Sequence, residues 1–107
     1  MDRGQVGPGP DLVGLQDALA SKDASARATA LLRIPNVPGA EELVVAALAD
    51  PSAEVRRAAV QALARMAGPH AITSMMHTAA HDPAPAVRAE AVSALARLVR
   101  GRSEPGR

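Results

Sequence analysis

Along this chain apolar residues recur every three or four positions, stop at a proline or glycine, and then begin again. Val55, Ala59, Ala62, Leu63 and Met66 fall on one side of a 3.6-residue period, which predicts an amphipathic helix. The same reading predicts a helix over DLVGLQDALA after Pro10 and a second over 24–34 that Pro35 cuts short. Further helices are predicted over AEELVVAALA (40–49), over 70–81, and from Asp82-Pro83 to about Arg100. Within 70–81 the stripe of Ile72, Met76, Ala79 and Ala80 is expected to face the core, with Met75 and Met76 as core and rim packing. Asp50 is placed as an N-cap whose carboxylate accepts from orphan N–H groups, and Pro51 as the first helical residue. Gly68-Pro69 is expected to end the helix that Asp50-Pro51 starts.

The helices come in copies. Residues 50–65, DPSAEVRRAAVQALAR, return at 82–97 as DPAPAVRAEAVSALAR, an offset of 32 residues from Asp50 to Asp82. Asp, Pro, Val, Arg, Ala, Val, Ala, Leu, Ala and Arg recur in place. A fainter copy lies 29 residues upstream in ASARATALLRI, where Arg27, Ala30 and Leu31 match Arg56, Ala59 and Val60. Self-similarity at such a period marks a stack of helical hairpins. The units run over about 10–35, 39–67 and 69–100, giving one repeat domain, 10–101, between flexible tails at 1–9 and 102–107.

The pattern Asp-Pro-x-x-x-Val-Arg-x-x-Ala-Val-x-Ala-Leu resembles HEAT repeats, in particular the short bacterial HEAT-like repeats of the phycobilisome lyase type. The resemblance spans residues 11–100, strong in units two and three and weak in unit one. It implies an all-α fold: a right-handed alpha-alpha superhelix, or alpha solenoid, of three hairpins. It also implies a hydrogen-bonded ladder across neighbouring repeats from the turn Asp and the Arg six residues on, here Asp50 with Arg56 and Asp82 with Arg88. Unit one departs from the pattern. Ser21 stands where the Asp should be, and Arg33 where Ala62 and Ala94 are, as befits a terminal capping unit.

Composition narrows the core and the chemistry. Of 107 residues 25 are alanine, and Phe, Tyr and Trp are absent, so the core must be Leu, Val and Met set between closely approaching helices. Twelve basic residues balance eleven acidic ones, interspersed, which disfavours nucleic acid; without aromatic rings there is no base stacking, and binding would rest on phosphate alone. The absence of Cys removes thiol nucleophiles, disulfides and Cys-type zinc sites. No apolar run approaches the ~20 residues of a membrane span, and residues 1–10 lack a signal-peptide core. The expectation is a cytoplasmic protein, and eleven arginines to one lysine suggest a GC-rich bacterial genome.

Candidate chemistry is sparse. Ser74 and Ser93 lie in helix interiors without a His–carboxylate setting, and no phosphate loop appears, so no catalytic residue and no cofactor is assigned. His77 and His81 stand at the i, i+4 spacing of a two-His clamp, with His70 seven residues before His77 on the same exposed face. No Asp or Glu in that helix completes a ligand set, and no metal site is assigned. Arg27, Arg56 and Arg88 are read as parts of the ladder rather than as phosphate readers. The positions off the core stripe are the better binding candidates: Arg57, Val60, Gln61 and Arg65 in unit two, and Val92, Ser93, Arg97 and Arg100 in unit three. The resemblance puts second helices on a concave face, and arginines there suit another protein or an acidic peptide. Equally, Val60, Val92 and Leu31 could serve only to pack adjacent helices. The expected function is a protein-interaction scaffold or adaptor, with self-association through an end face also open. A weak nucleic-acid accessory, or an accessory subunit of a small-molecule enzyme, is the alternative.

Overall fold

The computed structural model describes residues 10–103. Six helices follow one another: α1 (Pro10–Leu19), α2 (Ala24–Leu32), α3 (Ala40–Ala47), α4 (Ala53–Met66), α5 (Ala71–His81) and α6 (Pro85–Ser103). Among the described residues there is no strand, and the fold is an alpha solenoid. Helix α6 carries on through residue 103, past the expected start of a tail at 102; residues 1–9 and 104–107 lie outside the described residues.

The helices pair as α1–α2, α3–α4 and α5–α6. The second helix of each pair also packs on the second helix of the next, α2 on α4 and α4 on α6. The molecule measures 45 × 37 × 18 Å, and its thinnest dimension is that of two helix layers. Leu31, Ile34, Val44, Val55, Val60, Leu63, Met75 and Val87 are fully buried. Between them lie Ala40, Ala59, Ala62, Ala71, Ala91 and Ala94, also without exposed surface. Alanine at the crossings lets backbones approach closely, so a few branched side chains fill the space without aromatic rings.

Helix α5 is rotated from the expected phase. Ala71, Met75 and Thr78 face inward, whereas Met76 is 56% exposed and Ala80 lies at the surface. The buried Asp82 supplies the reason, because its salt bridge to Arg56 fixes where the chain leaves α5. Counting back from it in steps of four, three and four reaches Thr78, Met75 and Ala71, one residue, or about 100°, from the expected stripe.

The helix ends also differ from the simple reading. Helix α4 starts at Ala53 with Ser52 as N-cap, so Pro51 precedes the helix. Asp50 Oδ1 accepts from the Ser52 N–H at 2.9 Å, and Asp82 Oδ1 from the Ala84 N–H at 2.9 Å, each closing a turn one step before the helix. The true aspartate N-cap is Asp23, which accepts from the Ser25 N–H at 3.1 Å. At the other end of α4 the left-handed residue is Ala67 (φ 51°, ψ 38°), not Gly68. Its Cβ carries a penalty there that glycine avoids. Ala67→Gly is therefore expected to stabilise the fold by about 0.5–1 kcal/mol after glycine's entropy cost, raising the Tm by a few degrees in a calorimetric scan.

Candidate interaction surface

The repeated arginines are built into the stack, and their pairing runs one unit forward. Arg27 Nε and Nη2 donate to Asp50 Oδ2 and Oδ1 at 2.8 and 2.9 Å. Arg56 Nε and Nη2 donate to Asp82 Oδ2 and Oδ1 at 2.8 and 3.1 Å. Within its own unit each arginine uses Nη1 on a main-chain carbonyl six residues back: Ser21 (2.8 Å), Asp50 (2.9 Å) or Asp82 (2.8 Å). Arg56 and Arg88 thus meet the backbone of Asp50 and Asp82, not their carboxylates. Unit one, despite Ser21, contributes a complete rung.

These carboxyls are tuned by their partners. Hydrogen bonds from Arg27 hold Asp50 below the ordinary carboxylate range, against the opposing effect of its burial. Burial pushes Asp82 up, but the bonds from Arg56 and the Ala84 N–H, with the charges of Arg56 and Arg88, outweigh it and leave the group lowered. Among the described residues no buried side-chain polar atom lacks a partner.

The second helices form the surface expected to bind. Helices α2, α4 and α6 pack side by side, while a cleft of about 640 Å³ separates α3 from α5. Three equivalent positions, Leu32, Gln61 and Ser93, run in a row across this face; Leu32 is 49% exposed. Arg97 and Arg100 are exposed beyond Ser93.

Two of the expected binding arginines already have work within the stack. Arg65 donates from Nη1 to the Ile34 carbonyl at 3.1 Å, and from Nη2 to the Leu31 and Leu32 carbonyls at 3.3 Å each. It thereby caps the C-terminus of α2 from the next unit. Arg57 Nε donates to Glu90 Oε1 at 3.2 Å, though its side chain stays 56% exposed.

Val60 does not belong to this surface. It has no exposed area, because α4 lies centrally with α2 on one side and α6 on the other. Leu31 is buried in the same way, whereas Val92, at the matching position of α6, is 55% exposed.

The histidines do not form one stripe. His70 is the N-cap of α5, and Glu41 reaches across from α3 to accept from its main-chain N–H (3.0 Å) and to meet its Nδ1 (3.0 Å). Glu41 was legible only as a charge suited to its own helix start. His77 and His81 lie ring against ring, centroids 4.6 Å apart, on the rim of the α3–α5 cleft. Among the described residues no three His, Asp or Glu side chains converge as metal ligands. The cleft itself went unread in the sequence, since it depends on how far α3 and α5 stand apart. Val45 and Leu48 form one wall, and the Arg56–Asp82 rung lies at its base. Both of its carboxylates, Asp50 and Asp82, are already committed to arginine.

Helical hairpins stacked through their second helices and joined by repeating Arg–Asp rungs define an alpha solenoid. The family model for HEAT repeats matches residues 12–96. The chain belongs to the HEAT repeat family, whose members are in general protein-interaction scaffolds. No curated protein and no solved structure matches the chain. Among the described residues no helix is long and apolar enough to cross a membrane.

Proposed function

We propose that this chain is a non-enzymatic adaptor that holds an acidic segment of another protein against the concave face of its second helices. The observation that carries this reading is the Leu32–Gln61–Ser93 row, with exposed Arg57 at one side and exposed Arg97 and Arg100 beyond it. Small and aliphatic side chains leave room for a docked helix or extended strand. Guanidinium groups at the edge suit carboxylates through paired N–H donors. Nothing about the face requires a reaction: its side chains bind and orient.

The test uses the full chain with a photoreactive residue at Gln61 or at Ser93, and a control with the same residue at Thr73, exposed on α5. A protein captured from the native lysate by the first two and not by the third is purified and its binding measured. Arg97→Glu with Arg100→Glu should then weaken that binding about tenfold or more, with a matching sensitivity to salt. Equal capture from Thr73, or indifference to the charge reversals, refutes the concave site.

A further inference from the structure

Each unit of the stack carries the same arginine, and two of the three meet a carboxylate in the following unit. The third is Arg88. It makes the usual bond from Nη1 to the carbonyl six residues back, Asp82 O at 2.8 Å, which holds its guanidinium in the pose of Arg27 and Arg56. Among the described residues no carboxylate faces its Nε and Nη2, the two groups that grip Asp50 and Asp82 in the earlier rungs. Along α6 from Arg88 run Val92, Ala96 and Val99 on one side, all exposed. In α4 the equivalent stripe starts with Arg56 and Val60, and α6 covers both. Val60 has 0% of its surface exposed, and Val92 has 55%.

Resting on the reading of the chain as a protein-binding stack, we propose that this outer face of α6 docks a helical hairpin of a different protein. That hairpin presents an aspartate in its inter-helix turn to the Arg88 fork and an apolar helix to Val92 and Val99.

Charge and shape favour such a partner over a second copy of this chain. Helix α6 carries four arginines and one glutamate, and that glutamate, Glu90, is taken by Arg57. Two α6 faces brought together would set arginine against arginine, which disfavours a symmetric dimer. A head-to-tail copy would offer its first unit, where both required features are replaced. Ser21 stands at the position of Asp50 and Asp82, and exposed Arg33 at the position of the buried Ala62 and Ala94. Unit one thus lacks both features that receive a rung, while α6 presents the arginine that makes one.

The replaced residues also define a probe. Ser21 Oγ accepts from the Asp23 N–H at 3.1 Å, as Asp50 and Asp82 accept from the N–H two residues on, so an aspartate fits that turn. An acceptor made of the full chain with Ser21→Asp, Arg33→Ala and Arg88→Ala is titrated onto the unaltered chain in the analytical ultracentrifuge. A one-to-one complex is expected, about tenfold weaker or worse when the unaltered chain is replaced by its Arg88→Ala variant or when Ser21 is restored in the acceptor. If the triple variant melts earlier than its parent by circular dichroism, the acceptor carrying only Ser21→Asp and Arg88→Ala takes its place. No complex with a folded acceptor, or one indifferent to Arg88, overturns the proposal. So does self-association of the unaltered chain that Arg88→Ala abolishes, which would give the face to a second copy. A chain that fails here but still crosslinks from Gln61 is an adaptor without end docking, so the two readings fail separately.

Discussion

Asp82→Ala should lower the unfolding free energy by about 3–5 kcal/mol, the usual consequence of stranding one charge of a buried pair. The side chains of Arg56 and Asp82 retain only 11% and 4% of their surface, so losing the carboxylate leaves a largely buried guanidinium with main-chain carbonyls alone. Against a total stability of about 5–15 kcal/mol for a domain of this kind, that loss is large. A urea titration would show the midpoint fall steeply. Glu90→Ala, which removes the partner of the half-exposed Arg57, should cost under about 1 kcal/mol and serves as the internal comparison. The same rungs set the acid limit. Folding lowers the pKa of Asp50 and of Asp82, so the unfolded chain takes up protons more readily than the folded one. The stabilisation is complete above the unfolded value, about 3.9, and drains away as pH falls through the lower folded values. Melting curves from pH 7 to pH 2 should therefore stay level until about pH 4 and then drop. Asp82→Asn should flatten part of that drop.

Leu63→Ala is expected to cost about 4 kcal/mol, toward the upper end for a buried leucine. Leu63 is fully buried in α4, and much of the core around it is alanine. Backbone and methyl groups have little freedom to move into the space, so the cavity stays open. Leu32→Ala, at a site 49% exposed, should change stability by about 0.5 kcal/mol or less. Both values come from the same denaturant titration. Similar losses at the two positions would mean that α4 is not the centre of the core.

The repeat architecture was legible because it rests on local signals: the 3.6-residue stripe in Val55, Ala59, Ala62, Leu63 and Met66, and two Asp-Pro turns in register. All five of those stripe residues are buried. What escaped the sequence depends on neighbours. Val60 and Val92 occupy identical positions in nearly identical helices, yet one is buried and the other exposed, because only one has a further helix beside it. Local sequence cannot distinguish them. Met75 and Met76 differ by one step of helix rotation, and the salt bridge of Asp82, a partner 26 residues from Arg56, chooses between them. Arg65 and Glu41 read as surface charges because the helix ends they cap belong to the adjacent unit. The forward direction of the rungs was hidden for the same reason.

The rungs join residues only 23 and 26 positions apart, and helix packing beyond each hairpin extends to the adjacent unit. Closing such short stretches of chain costs little entropy, so no late search for a distant partner delays assembly. Order can grow along the chain from whichever hairpin forms first, on the microsecond-to-millisecond scale of proteins dominated by local contacts. A stack wired this way folds progressively rather than by a single long-range closure.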